Sequence, residues 1–230
     1  MGAIGEAMGP WAGVDEGAHA DLVDEWTFTF WTADGTAGGI VLLRLLPAAR
    51  RCWYWAALAR AGRPVLHVAD WDAPCPRVGL TVRADGLWAD HICEAPFDQW
   101  TVANETYAVA LDDPADARGR AYGTAAPLAM DLEWYATAGP TPVPAGYEQP
   151  GEVHGTVELG GGALEIAAAG AHRTHRWGGE LALPQFEPAM AHLGLRALAR
   201  FPDDTELDLV LTPDGWRSRG PRSPELPASR

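Results

Sequence analysis

The chain has 230 residues, which suits one large β unit or two small ones and is long enough to bury a core without disulfides or metals. Hydrophobic residues make up 47% and charged residues 21%, a globular composition that excludes wholesale disorder. Thirty-one acids against 17 basic residues give a formal charge of −14, which repels phosphate backbones and anionic membrane surfaces and so argues against nucleic-acid partners. Every basic residue is arginine, and Ala, Gly and Pro are abundant, as expected of a GC-rich bacterial coding sequence.

Residues 1–22 are rich in Gly and Ala without a sustained period and read as a flexible arm. From Glu25 to Trp31 aromatic and polar residues alternate and run into Asp34-Gly35, a strand entering a turn. Gly39–Leu46 completes a hairpin, and further strands are expected over 52–59, 65–70, 78–83, 86–91, 100–111 and 121–137. Turn signals spaced about ten residues apart are the mark of a sandwich or barrel. The run 112–119 reads as a loop, and 139–146, with three prolines, as a stiff connector and the best internal boundary. Strands then follow over 151–159, 163–168 and 173–177, a short helix over 188–200, a strand over 206–212 and a disordered tail over 218–230. The expected organisation is therefore all-β and antiparallel: a lipocalin-like barrel over 23–138, with 146–217 either closing it or forming a truncated second barrel.

Residues two apart on a strand share a face, so polar residues at that spacing inside apolar strands are the candidates for chemistry. Asp131, Glu133 and Tyr135 form one such set opposite Leu132 and Trp134; Glu152, His154 and Thr156 form a second, and Arg173, His175 and Trp177 a third. A pocket receiving them would join acids, imidazoles and a guanidinium, and a His or carboxyl desolvated by aromatic walls can be tuned toward neutral pKa for proton transfer. A solvated outer face explains the first two sets equally well, and Arg173 beside an indole equally suits a cation–π plug at the barrel's end. His67, His91, His172 and His192 read as surface or satisfied core residues. Cys52, Cys75 and Cys93 show no pairing pattern and read as buried thiols. No metal and no cofactor is expected, since neither a metal-ligand spacing nor a nucleotide fingerprint is present. Eleven tryptophans, among them Trp100 and Trp134, suit a cavity for a hydrophobic ligand. The N-terminus shows no secretory pattern and no stretch reaches a membrane span, so a cytoplasmic protein without membrane insertion is expected.

Two stretches carry a resemblance. Tyr147-Glu148-Gln149-Pro150-Gly151 with Gly155, and Gly170 followed by Arg173, His175, Trp177 and Gly178, resemble the AttH-like and carotenoid 1,2-hydratase family. The resemblance implies tandem lipocalin-like barrels and a cofactor-independent enzyme that hydrates, isomerises or cyclises terpenoid- or polyketide-like molecules in secondary metabolism. The stretch after Gly179 is shorter than a full second barrel needs. In the leading reading His175 is the proton donor or base with Glu133, Glu152 and His154 as catalytic partners. Tyr147, Gln149, Arg173, Trp177, Trp134, Tyr135, Asp131 and Trp100 are then substrate-binding residues. The alternative is a non-catalytic carrier or sensor of a hydrophobic ligand, with a purely structural domain as a third reading.

Overall fold

The computed structural model describes residues 11–189 and 194–219. Eleven strands build the main sheet: β1 (Val23–Trp31), β2 (Ala37–Leu46), β3 (Arg51–Arg60), β4 (Val65–Pro74), β5 (Val82–Ala84), β6 (Leu87–Ala95), β7 (Gln99–Leu111), β8 (Gly123–Ala136), β9 (Thr141–Val143), β10 (Gly146–Leu159) and β11 (Gly162–Gly178). Three more, β12 (Arg196–Arg200), β13 (Glu206–Thr212) and β14 (Gly215–Ser218), form a second sheet. The all-β antiparallel barrel expected from the sequence is what forms.

Eight of the strands close a ring in the order β1-β2-β3-β4-β7-β8-β10-β11, with β11 returning to β1 over the register Val23↔Gly178 to Trp31↔Gly170. The β4–β7 seam is short, Val65–His67 against Val109–Leu111, because β6 takes the rest of that edge of β7 and β5 pairs outside it. The proline-rich connector is not a boundary: β8 and β10 on either side of it are ring neighbours, and β9 within it pairs with β10. Residues 163–168 and 173–177 are one continuous strand, whereas of 78–83 only the last two residues enter β5.

Strict alternation decides what faces inward. On β8 the inward residues are Leu128, Met130, Leu132 and Trp134; on β1 they are Trp26, Phe28 and Phe30. Strand β11 carries the extra residue of a bulge opposite Val153–Gly155, which keeps both Ile166 and Ala169 inside. Gly155 has φ +134°, and a Cβ there would lie 2.1 Å from the Asp131 carbonyl oxygen, so only glycine fits. An eight-stranded ring leaves an interior that side chains can fill, and here they do: the space between Phe28, Val102, Trp134 and Val153 is only about 10 Å³.

Strand β2 is apolar on both faces because its outer face is covered too. Ile40 and Leu42 of β2 and Trp55 and Ala57 of β3 pack against Leu209, Leu211, Trp216 and Phe201 of the second sheet. The segment 196–218 is therefore an open three-stranded cover on the barrel wall, not a truncated second barrel. The helix expected over 188–200 is corrected as well, since 196–200 is β12; residues 190–193 lie outside the described residues. Both faces of β12 are buried, with Ala197 and Ala199 against the barrel and Leu198 against Leu111 and Ala117. That erases the period of two and leaves leucines at apparent helical spacing. Of the expected tail, Ser218 ends β14, and 220–230 lie outside the described residues. No helix among the described residues is long and apolar enough to cross a membrane.

Candidate functional site

The end of the barrel formed by the starts of β1 and β10 and the end of β11 is sealed by polar side chains. Cross-strand pairing sets Tyr147 opposite His175 and Gln149 opposite Arg173, and all four side chains point inward and are fully buried. The segment expected to be a flexible arm completes the seal. After Trp11 it forms a 3-10 turn at Gly13–Glu16 and drives Glu16, 2% exposed, into the barrel end. Arg173 donates to both Glu16 oxygens at 2.7 and 2.8 Å and to the Gln149 carbonyl oxygen; the Tyr147 hydroxyl and the Phe97 amide donate to Glu16 at 2.6 Å each. A buried charge persists only when paired and hydrogen-bonded, and this one is.

Aromatic rings complete the enclosure. The guanidinium of Arg173 lies 4.9 Å from the Trp134 ring centroid, 5.3 Å from Tyr147 and 5.6 Å from Trp100, so three electron-rich faces share its charge. Burial alone would raise the Glu16 carboxyl, but the hydrogen bonds and charge of Arg173 hold it below its ordinary value. Burial pushes the Tyr147 phenol up and the His175 imidazole down, the latter opposed by Asp24. Asp24 accepts from the His19 amide at 2.8 Å and sits 3.2 Å from His175 Nε2. Trp177, partly exposed, stacks on His19. Beside this group Glu25 bridges Arg44 and Arg176, and both arginines reach backbone carbonyls of residues 181–183.

The remaining candidates lie elsewhere. Glu133 binds Gln99 and Thr101 on the outer wall, Asp131 and Tyr135 are exposed there, and Glu152 and His154 pair with each other at 3.2 Å, both close to half exposed. The expected pocket joining Glu133, Glu152 and His154 to His175 does not form, because β8 turns Trp134 and Leu132 inward and β10 turns Tyr147 and Gln149 inward. Alternation that turns the one set inward turns the other outward.

A different set lines open space. Between the 78–81 loop, β6 and the N-terminal segment lies a cleft of about 730 Å³, bounded by Val78, Leu80, Ile92, Cys93, Pro96 and Trp100, with Glu16 and His91 also on its lining. His91 is 3% exposed, and among the described residues neither ring nitrogen has a hydrogen-bond partner; the indole N–H groups of Trp26, Trp100 and Trp134 are likewise unpartnered there. Buried polar atoms are normally satisfied, so each such orphan calls for a partner. Burial lowers the His91 pKa to about 4, so the ring is neutral at pH 7 and offers one N–H and one lone pair. His91 reads as an isolated histidine in the sequence; its signal is its place on a strand whose inward residues, Leu87 and Ala89, are apolar. Glu16, His19 and Asp24 have no motif, although Asp24 is in step with Trp26, Phe28 and Phe30.

These burials make stability pH-dependent. His91 and His67 both fall from 6.5 to about 4, in each case through burial, and His67 is further fixed as an acceptor by the Trp55 N–H. Between those values the unfolded chain holds more protons than the folded one, so stability falls as pH drops from 6.5 to about 4, with a slope of about 1.4 kcal/mol per pH unit per histidine. Urea unfolding midpoints across that window should show the slope, reduced in a His91→Phe variant; a flat profile in the native sequence would contradict the buried, neutral imidazoles.

Residues 14–192 match a family model described as a domain of unknown function, DUF7064. No curated protein and no solved structure matches the chain. The match runs from the segment carrying Glu16 through every strand of the closed ring, and the chain belongs to the DUF7064 family.

Proposed function

We propose that this barrel binds an apolar small molecule bearing a hydroxyl-type head group in the cleft beside His91, as a carrier or sensor. One observation carries the reading: a buried imidazole with both nitrogens unpartnered among the described residues lines a largely apolar cleft of about 730 Å³. A hydroxyl can accept from the ring N–H or donate to the bare ring nitrogen, while Val78, Leu80 and Ile92 take the hydrocarbon body. The likeness of the Tyr147–Gly155 and Gly170–Gly178 stretches to the AttH-like and carotenoid 1,2-hydratase family supports a terpenoid- or polyketide-like body. A second reading, an acid–base hydratase, dehydratase, isomerase or cyclase, is favoured by Glu16 and His91 on the lining of one cleft; it transfers the proton roles from Glu133, Glu152 and His154 to that pair.

The test is competitive displacement of a neutral naphthylamine dye by a long-chain alcohol and by the matching alkane. The alcohol should displace the dye more strongly, and His91→Phe should remove up to tenfold of that preference, the worth of a hydrogen bond of about 1.4 kcal/mol. Leu80→Trp should block both. Equal competition by alcohol and alkane, or binding indifferent to Leu80→Trp, would remove the proposed site. Release of alkene from a bound terpenoid alcohol, abolished by His91→Phe, would select the enzyme reading over the carrier.

A further inference from the structure

Three carboxylates at or beside the sealed end are buried, and their partners differ. Glu16 faces Arg173, and Glu25 lies between Arg44 and Arg176. Asp24, 1% exposed, has no arginine partner among the described residues; two imidazoles stand in that place. A carboxylate removed from water needs a compensating positive charge.

The geometry around Asp24 is that of a ligand set. One carboxylate oxygen accepts from the His19 backbone amide at 2.8 Å, leaving the other to face His19 Nδ1 at 2.8 Å and His175 Nε2 at 3.2 Å. One ligand atom from each of the three residues lies within 4.8 Å of the others. A zinc-sized ion at about 2.0–2.2 Å from two nitrogens and an oxygen holds its ligands about 3.3 Å apart, so only small movements separate this arrangement from coordination. Both rings are held in plane, His175 by stacking on Trp26 and His19 by stacking on Trp177, each at 4.3 Å between centroids.

The outer partners fit as well. A ligating histidine directs its second ring nitrogen to a carboxylate, carbonyl or other acceptor that fixes its tautomer. His175 Nδ1 lies 3.4 Å from the Tyr147 hydroxyl, which itself donates to Glu16 and so is left to accept from the imidazole. His19 Nε2 lies 3.8 Å from an Asp15 oxygen. Side chains from the N-terminal segment, β1 and β11 thus converge on one point, with His19 reaching solvent on one side.

We propose that His19, Asp24 and His175 form a binding site for a divalent transition metal of the zinc class, which ties the N-terminal segment to the barrel. Two imidazoles and one carboxylate select zinc, cobalt or a similar ion over magnesium or calcium. The fourth position, on the side of the partly exposed His19, is left for water.

The test uses the full chain, stripped with chelator and titrated with Co(II) alone. The proposal predicts one equivalent bound at micromolar concentration, visible ligand-field bands of a four- or five-coordinate site, and their disappearance on adding Zn(II). His19→Gln, at the exposed edge of the site, should weaken binding at least tenfold, while His154→Gln on the outer wall should leave it unchanged. Independently of any variant, Zn(II) should shift the ring resonances of His19 and His175 in the native chain. Absence of a stoichiometric complex at micromolar metal overturns the proposal, as does binding lost in His154→Gln and retained in His19→Gln, or ring shifts confined to other histidines.

Discussion

Glu16→Ala is expected to destabilise the protein by about 3–5 kcal/mol, far more than a substitution in an N-terminal segment ordinarily costs. The loss comes from what the carboxylate leaves behind. Arg173 is fully buried among Trp100, Trp134 and Tyr147, and removing Glu16 strands its positive charge where water cannot reach it. The Tyr147 hydroxyl and the Phe97 amide lose their acceptor at the same time. The double replacement Glu16→Leu with Arg173→Met removes both charges at similar volume, so it should cost less than Glu16→Ala alone. Urea unfolding with an unchanged m-value measures both. A loss below about 1 kcal/mol for Glu16→Ala, the range of an exposed pair, would mean that the segment does not seal the barrel. Because Glu16 also lines the cleft, the same variant should weaken dye binding.

Trp216→Ala should cost about 3–5 kcal/mol by leaving a cavity between the two sheets. The indole is 2% exposed and donates to the Phe30 carbonyl at 3.2 Å, linking the second sheet to β1. Gly38 permits the approach: a Cβ there would lie 2.9 Å from Leu211 Cδ2 and 3.3 Å from Trp216 Cζ2. Loosening the second sheet uncovers Ile40, Leu42 and Trp55, an apolar patch that should then bind anilinonaphthalene sulfonate. A variant as stable as the native chain, with no gain in dye fluorescence, would show that the sheet does not depend on this anchor.

Much of the barrel is legible in the sequence because one buried and one solvated face leave an alternating pattern, as in 131–135; 25–31 alternates in polarity too, although Glu25, Thr27 and Thr29 are buried on its outer face. The pattern fails where both faces are buried. Strand β12 then resembles a helix, and the small sheet resembles the remnant of a second barrel. The site follows the same logic. Arg173, His175, Tyr147 and Gln149 stand out as polar residues on strands whose other inward positions are apolar, and they do converge. Glu133, Glu152 and His154 have the same spacing on the opposite face, and spacing alone does not say which face is inside. Glu16 and His19 are supplied by a segment with no period, and the pairs Glu16–Arg173 and Asp24–His175 join residues more than 150 positions apart, distances that local pattern does not span.

The central claim, that the functional space is the cleft beside His91, is tested most directly by photolabelling. A long-chain alcohol bearing a diazirine, irradiated in complex with the protein and mapped by peptide mass spectrometry, should label residues 78–81 and 90–96. Labelling of residues 84–88, 105–107 and 127–129 instead, around the separate cleft of about 720 Å³ that Leu87 and Leu128 line, would contradict it and move the ligand to that cleft.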